Sequence, residues 1–181
     1  MISTLARLIF HAIGWRLEGR YPSELKKKIL IVAPHTSAID FPIGFLVKVW
    51  LRIKVTFYAK EELFKGLIGW FLRKVGGRPV DRSTNNNLVS QAVADFGQLE
   101  EHTILITPEG TRRKVKKFKT GFYYIALQAG VPIVPVAFDY GLKAVRIFPT
   151  YFVKGNGESE IEKIRSMFKG IKGKKPDQGI I

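Results

Sequence analysis

Residues 28–33 read KILIVA, apolar at every position from Ile29 onward. A strand buried on both faces shows this pattern, whereas a half-solvated strand alternates apolar and polar residues. Further runs read as strands at 54–59 (KVTFYA), 78–80, 103–107 (TILIT), 131–139 (VPIVPVAFD) and 143–153. Helical patterns fall between them at 40–52, 61–75, 84–100, 120–129 and 158–171. The second of these is broken near Gly66 and Gly69, and the fourth ends at Gly130, a natural residue just past a helix. In the third, Leu88, Ala92, Phe96 and Leu99 share one stripe. Pro132 and Pro135 predict that 131–139 is an edge strand or a strand end. This alternation predicts a layered α/β architecture. At 181 residues the simplest organisation is one domain over 1–171, followed by a loose basic tail over 172–181.

Charge narrows the partners. Thirty Lys and Arg against fifteen Asp and Glu give a net charge of +15. That excess favours anionic membrane lipid, nucleic acid or phosphorylated ligands. Basic clusters lie at residues 26–28 and 112–119, the second with Phe118, Phe122 and Tyr123 beside it, a combination suited to a membrane surface. No zinc-finger, homeodomain or RNP-type signature accompanies them, so no nucleic-acid partner is expected. The absence of cysteine excludes disulfides, a cysteine nucleophile and thiolate metal sites. No His/Asp/Glu cluster has metal-ligand spacing, and no metal is expected. Residues 1–16 place Leu5, Leu8, Ile9, Ala12 and Ile13 at helical spacing, with Trp15 following. The segment lacks an export cleavage signal and is too short to span a bilayer. It reads as an interfacial amphipathic helix or as a terminal helix packed on the domain.

The strand at 28–33 runs straight into PHTSAID, which places His35 five positions before Asp40. Such a pair meets only if the backbone turns between them, and a strand-to-helix junction supplies the turn. Pro42 is tolerated only in a helix's first turn, which starts the helix close to Asp40 and leaves His35 in a loop at the strand's C-terminal end. His35 is then a general base oriented by Asp40, or Asp40 is a helix cap and His35 a polar loop residue. The spacing leaves both open. Residues 107–113 (TPEGTRR) follow another strand: Gly110 exposes backbone amides, Thr111 adds a hydroxyl, and Arg112 a planar fork suited to phosphate. Glu109 could orient that arginine or a substrate hydroxyl, and a plain charged turn is the alternative. In GGRPVDR (76–82), Arg82 offers a second guanidinium or a surface arginine. Lys60 offers a point charge or a solvated lysine.

Taken together, these stretches resemble the glycerolipid acyltransferase family, whose familiar members are the lysophosphatidic acid acyltransferases. HTSAID at 35–40, GGRPVDR at 76–82, PEGTR at 108–112 and VPIVPV at 131–136 match the family's blocks in order. The resemblance implies a mixed, largely parallel central sheet flanked by helices, as in glycerol-3-phosphate acyltransferase. It implies transfer of a fatty acyl group from acyl-CoA or acyl carrier protein to the hydroxyl of a lysophospholipid or related phosphorylated glycerolipid, in phospholipid biosynthesis. No cofactor is implied beyond that co-substrate. His35 matches the family's base and Asp40 its partner. Arg82, Glu109, Gly110, Thr111 and Arg112 match positions tied to the acceptor phosphate, and Lys60 falls near a lysine that some members use for it. A peripheral enzyme on the cytoplasmic face of the cell membrane is the expected setting. Pro34, Pro79-Val80 and Thr107 depart from the commonest family residues and bear on the acceptor rather than on the chemistry. The competing expectation is a non-catalytic basic module that binds anionic lipid or nucleic acid on the same scaffold.

Overall fold

The computed structural model describes residues 1–80 and 85–179. Among these, seven strands form one sheet: β1 (Arg16–Glu18), β2 (Lys27–Ala33), β3 (Thr56–Lys60), β4 (Gly77–Val80), β5 (His102–Ile106), β6 (Ile133–Asp139) and β7 (Ala144–Ile147). Their order is β1-β7-β6-β2-β5-β3-β4. Every neighbouring pair is parallel except β6 and β7. The helices are α1 (Ile2–Ala12), α2 (Asp40–Trp50), α3 (Gly66–Lys74), α4 (Asn85–Gln98), α5 (Gly121–Ala129) and α6 (Glu158–Ser166), with a 3-10 turn at Glu61–Phe64.

The two-fold period of β2 divides the core. Ile29, Ile31 and Ala33 face one layer, where Ala92 and Phe96 of α4, Phe122 and Ile125 of α5, and Ile161 and Ile164 of α6 are buried. Leu30 and Val32 face the other, against Phe10 of α1 and Ile43 and Val47 of α2. The continuous apolar run is therefore a central strand covered on both sides.

Three expectations change. Strand β6 is not an edge: it lies between β7 and β2, with Pro135 opposite Ile31. The Pro135 carbonyl accepts the amide of Phe148, one residue past β7. Its missing N–H therefore faces the end of a neighbouring strand, where little pairing is lost. The helix expected over 1–16 stops at Ala12, and Arg16 opens β1 against β7. Phe118, Phe122 and Tyr123 are core residues rather than surface partners of the basic run. Lys27 and Lys28 likewise turn inward, donating to the carbonyls of Phe96 and Leu25. Helix α5 ends as expected, with Gly130 left-handed at φ 64°.

Candidate active site

Strands β5, β2 and β6 are neighbours, and β2 is parallel to both, so their C-terminal ends share one edge. Beyond each end lies one polar residue of the site: Glu109 after β5, His35 after β2, Tyr140 after β6. Residues 34–39 turn between β2 and α2, which begins at Asp40 with Pro42 in its first turn.

Within this turn His35 and Asp40 meet. His35 Nδ1 lies 2.9 Å from Asp40 Oδ2, whose side chain is only 2% exposed. The same oxygen accepts the amides of Thr36 (3.1 Å) and Ser37 (3.0 Å), while Oδ1 accepts the Tyr140 hydroxyl at 2.7 Å. Asp40 thus ties down the loop and holds the imidazole at once. It is not the helix cap that the sequence allowed: it is the first residue of α2, and the two amides it accepts both precede the helix. Burial pushes its carboxyl up, but the bonds from His35, Tyr140 and Ser37 outweigh it and leave the group below the usual carboxylate range. For Tyr140, burial and then the Asp40 carboxylate both push the phenol up, so it stays a donor.

The other face of the ring meets Arg112, whose Nε donates to His35 Nε2 at 3.3 Å. Both neighbours require the same tautomer. A carboxylate at Nδ1 needs a proton there, and a guanidinium at Nε2 needs a lone pair. The imidazole is therefore held with its basic nitrogen turned toward Arg112 and the surface.

Glu109, buried to 1% exposure, accepts the His35 backbone amide at 2.6 Å. It braces the histidine loop from β5. Gly110 makes the turn at φ 65°, and its own amide bonds Thr107. A Cβ at Gly110 would lie 2.7 Å from the Lys119 side chain, so this glycine gives room for a further cation. The Thr111 hydroxyl accepts the Arg113 amide at 3.2 Å. Lys60 ends β3 exposed at the same edge of the sheet, and among the described residues it makes no hydrogen bond or ion pair with the His35 group. Arg82 lies outside the described residues.

The tail also enters the site. Lys175 N donates to Thr36 Oγ1 (3.2 Å), Tyr140 N to the Lys172 carbonyl (2.8 Å), and Val115 N to the Gly179 carbonyl (2.8 Å). Beside Tyr140 opens a cleft of about 470 Å³ lined by Ile13, Trp15, Ile39 and Ile43 together with Lys143, Lys172 and Lys174. Tyr140 and Lys119 were missed by sequence reasoning. The signal for Tyr140 was its place: first residue beyond a parallel strand whose neighbour carries His35.

A family model described as acyltransferase matches residues 15–139. The human 1-acyl-sn-glycerol-3-phosphate acyltransferase beta is 32% identical over 147 residues, covering 77% of this chain and 52% of that protein. The Pseudomonas aeruginosa lyso-ornithine lipid O-acyltransferase is 33% identical over 132 residues, 69% of this chain and 47% of that protein. The chain spans about half the length of these relatives. The crystal structure of the 1-acyl-sn-glycerophosphate (LPA) acyltransferase, PlsC, from Thermotoga maritima superposes with a TM-score of 0.63 at 23% identity, over 92% of this chain and 74% of that one. That likeness shows a shared fold.

Proposed function

Because this chain belongs to the acyltransferase family, we propose that it moves a fatty acyl group from acyl-CoA or acyl carrier protein to the hydroxyl of a lysophospholipid or related phosphorylated glycerolipid. The observation that carries this reading is the His35–Asp40 contact at 2.9 Å, with the basic Nε2 left toward the open side. As the acceptor oxygen attacks the thioester carbonyl carbon, its proton passes to Nε2 and Asp40 stabilises the imidazolium. Collapse of the tetrahedral intermediate breaks the C–S bond, and the departing thiolate takes the proton from His35. With no cysteine in the chain, an acyl-cysteine intermediate is excluded.

Arg112 is the proposed phosphate ligand nearest the chemistry. It leaves Nε2 when a phosphate arrives, which frees the base for the hydroxyl. Thr111, Lys119, Lys60 and Arg82 supply further donors at the phosphate, while Gly110 shapes the turn and Glu109 positions His35 from behind. The cleft beside Tyr140 joins apolar residues (Ile13, Trp15, Ile39 and Ile43) to three lysines, a mixed lining suited to an amphipathic lipid. The setting proposed is the cytoplasmic face of the membrane, with the protein held peripherally; among the described residues no helix is long and apolar enough to cross a membrane.

A panel of lysophosphatidic acid, other lysophospholipids and lyso-ornithine lipid, offered with both donor types, tests the acceptor. Arg112→Ala should lower kcat/KM for phosphorylated acceptors by about 10–100-fold, the worth of a charge-assisted pair. An unchanged acceptor dependence removes Arg112 from the phosphate site.

A further inference from the structure

Helix α3 has the sequence GLIGWFLRK, and Gly69 is the only residue of it that is buried. Leu67, Ile68 and Trp70 are 86%, 68% and 61% exposed, and Phe71 and, from the preceding 3-10 turn, Leu63 are exposed too. A water-facing helix normally turns its apolar stripe inward; this one turns it out. The helix is fixed in place nonetheless. Phe71 rests against Phe41 and Phe45 of α2, with ring centroids 6.4 and 6.2 Å apart. Lys65, Arg73 and Lys74 flank the exposed stripe, and the Lys74 ammonium lies 5.9 Å from the Trp70 ring. Glu61 and Glu62 are the nearby carboxylates, so cations prevail.

The placement matters more than the apolarity. Helices α1 and α3 flank α2 on one face of the sheet: α1 packs on it through Phe10, whose ring is 5.6 Å from that of Trp50, and α3 through Phe71. Leu5, Leu8 and Ile9 of α1 are exposed, as are Ile39 and Phe41 at the start of α2. The catalytic pair sits at that same start. An apolar face with a basic rim thus runs from α1 past the His35 loop to α3, the shape of a surface that meets anionic lipid rather than water.

We propose that residues 63–71, from the end of the 3-10 turn through most of α3, are a membrane-docking surface that inserts Leu67, Ile68 and Trp70 into an anionic bilayer, in addition to any contribution from α1. It rests on the acyltransferase reading only for its purpose, which is to bring the His35 edge to lipid acceptors at the interface. Trp70 and Lys74 sit at headgroup depth, and the neighbouring cations draw the face to the lipid. The experiment is sedimentation with phosphatidylglycerol and with phosphatidylcholine vesicles, using wild type, Leu67→Ser/Ile68→Ser and the control Tyr124→Ser/Leu127→Ser. The control changes exposed residues of α5 on the opposite face.

The first pair should bind phosphatidylglycerol vesicles at least tenfold more weakly, as expected for two apolar side chains kept out of the bilayer. The control should stay within about twofold, and phosphatidylcholine should bind wild type less tightly. Both pairs should keep full acyl transfer to a short-chain lysophospholipid below its micelle concentration. Retained vesicle binding by the first pair, or an equal loss in the control, overturns the proposal. So does a wild-type dimer that the first pair dissolves while vesicles bind neither protein. Vesicle binding reads no chemistry: a wild type that needs Leu67 and Ile68 to bind lipid yet transfers no acyl group sinks the catalytic reading and supports this one.

Discussion

Asp40 receives four donors on two oxygens, from His35, Thr36, Ser37 and Tyr140. Tyr140 alone reaches Oδ1 and comes from 100 residues away. Removing its hydroxyl leaves a buried carboxylate oxygen short of its partner, so Tyr140→Phe should cost about 2 kcal/mol of stability at pH 7. The pH dependence has a fixed sign. A carboxyl held below its unfolded value of about 3.9 stabilises the fold above that pH and ceases to as pH falls through the lowered value. Wild type and Tyr140→Phe should therefore differ most at neutral pH and converge in acid, as urea midpoints across pH would record. A constant difference would mean that the hydroxyl acts through packing rather than through Asp40. The sequence made His35 and Asp40 visible because they are five positions apart. Tyr140 was not visible, because only the pairing of β6 with β2 brings it there.

At the scale of elements, α6 is secured by a second carboxylate. Glu160 accepts the hydroxyls of Tyr123 and Tyr151 and the amides of Lys154 and Asn156. Burial raises its carboxyl, but the Asn156 and Lys154 amides and then the two tyrosines bring it down to about 2. Its contribution is complete above the ordinary glutamate range and fades as pH falls toward about 2. Glu160→Gln replaces an acceptor oxygen with a donor amide facing those N–H groups and should cost about 3 kcal/mol at pH 7. An unchanged urea midpoint would show that the network does not hold the helix. Most elements could be read from their patterns: β2 from an unbroken apolar run, α4 from its stripe and α5 from the glycine that ends it. Short strand β1 could not, because three residues hold no period and β7 recruits them from outside. For β6 only the edge alternative fails: Pro132 does stand at the strand's start, while Pro135 lies within a strand between two neighbours, because a proline reports on hydrogen bonding along one side and not on position in the sheet.

For the whole molecule, the charge of +15 bears on the proposed docking to anionic lipid. Of the two expectations for the N-terminal helix, packing on the domain is met: Ala6 and Phe10 of α1 are buried, while Leu5, Leu8 and Ile9 stay exposed and leave an interfacial role to be tested. Deleting the segment would uncover the core around Phe10 and Trp15, so Leu5→Ser/Leu8→Ser is the cleaner variant. It should weaken binding to phosphatidylglycerol vesicles several-fold without changing the urea midpoint, and raising salt toward 1 M should weaken wild type further. Binding indifferent to both would place membrane attachment elsewhere. Composition points to anionic partners as a class but not to a landing site, because the basic residues divide between carbonyl partners and solvent: Lys27, Lys28 and Arg73 donate to the carbonyls of Phe96, Leu25 and Phe64, while Lys65 and Lys74 face solvent.

The central claim is that His35 is the base of an acyl transfer. Its most direct test is free CoA, or free carrier-protein thiol, released from either acyl donor in the presence of the lysolipid panel, by wild type and by His35→Ala. Acceptor-dependent release by wild type is expected, with a fall of about 10²–10⁴-fold in the variant and vesicle binding retained. Equal rates in the two proteins, whether measurable or absent, would contradict it.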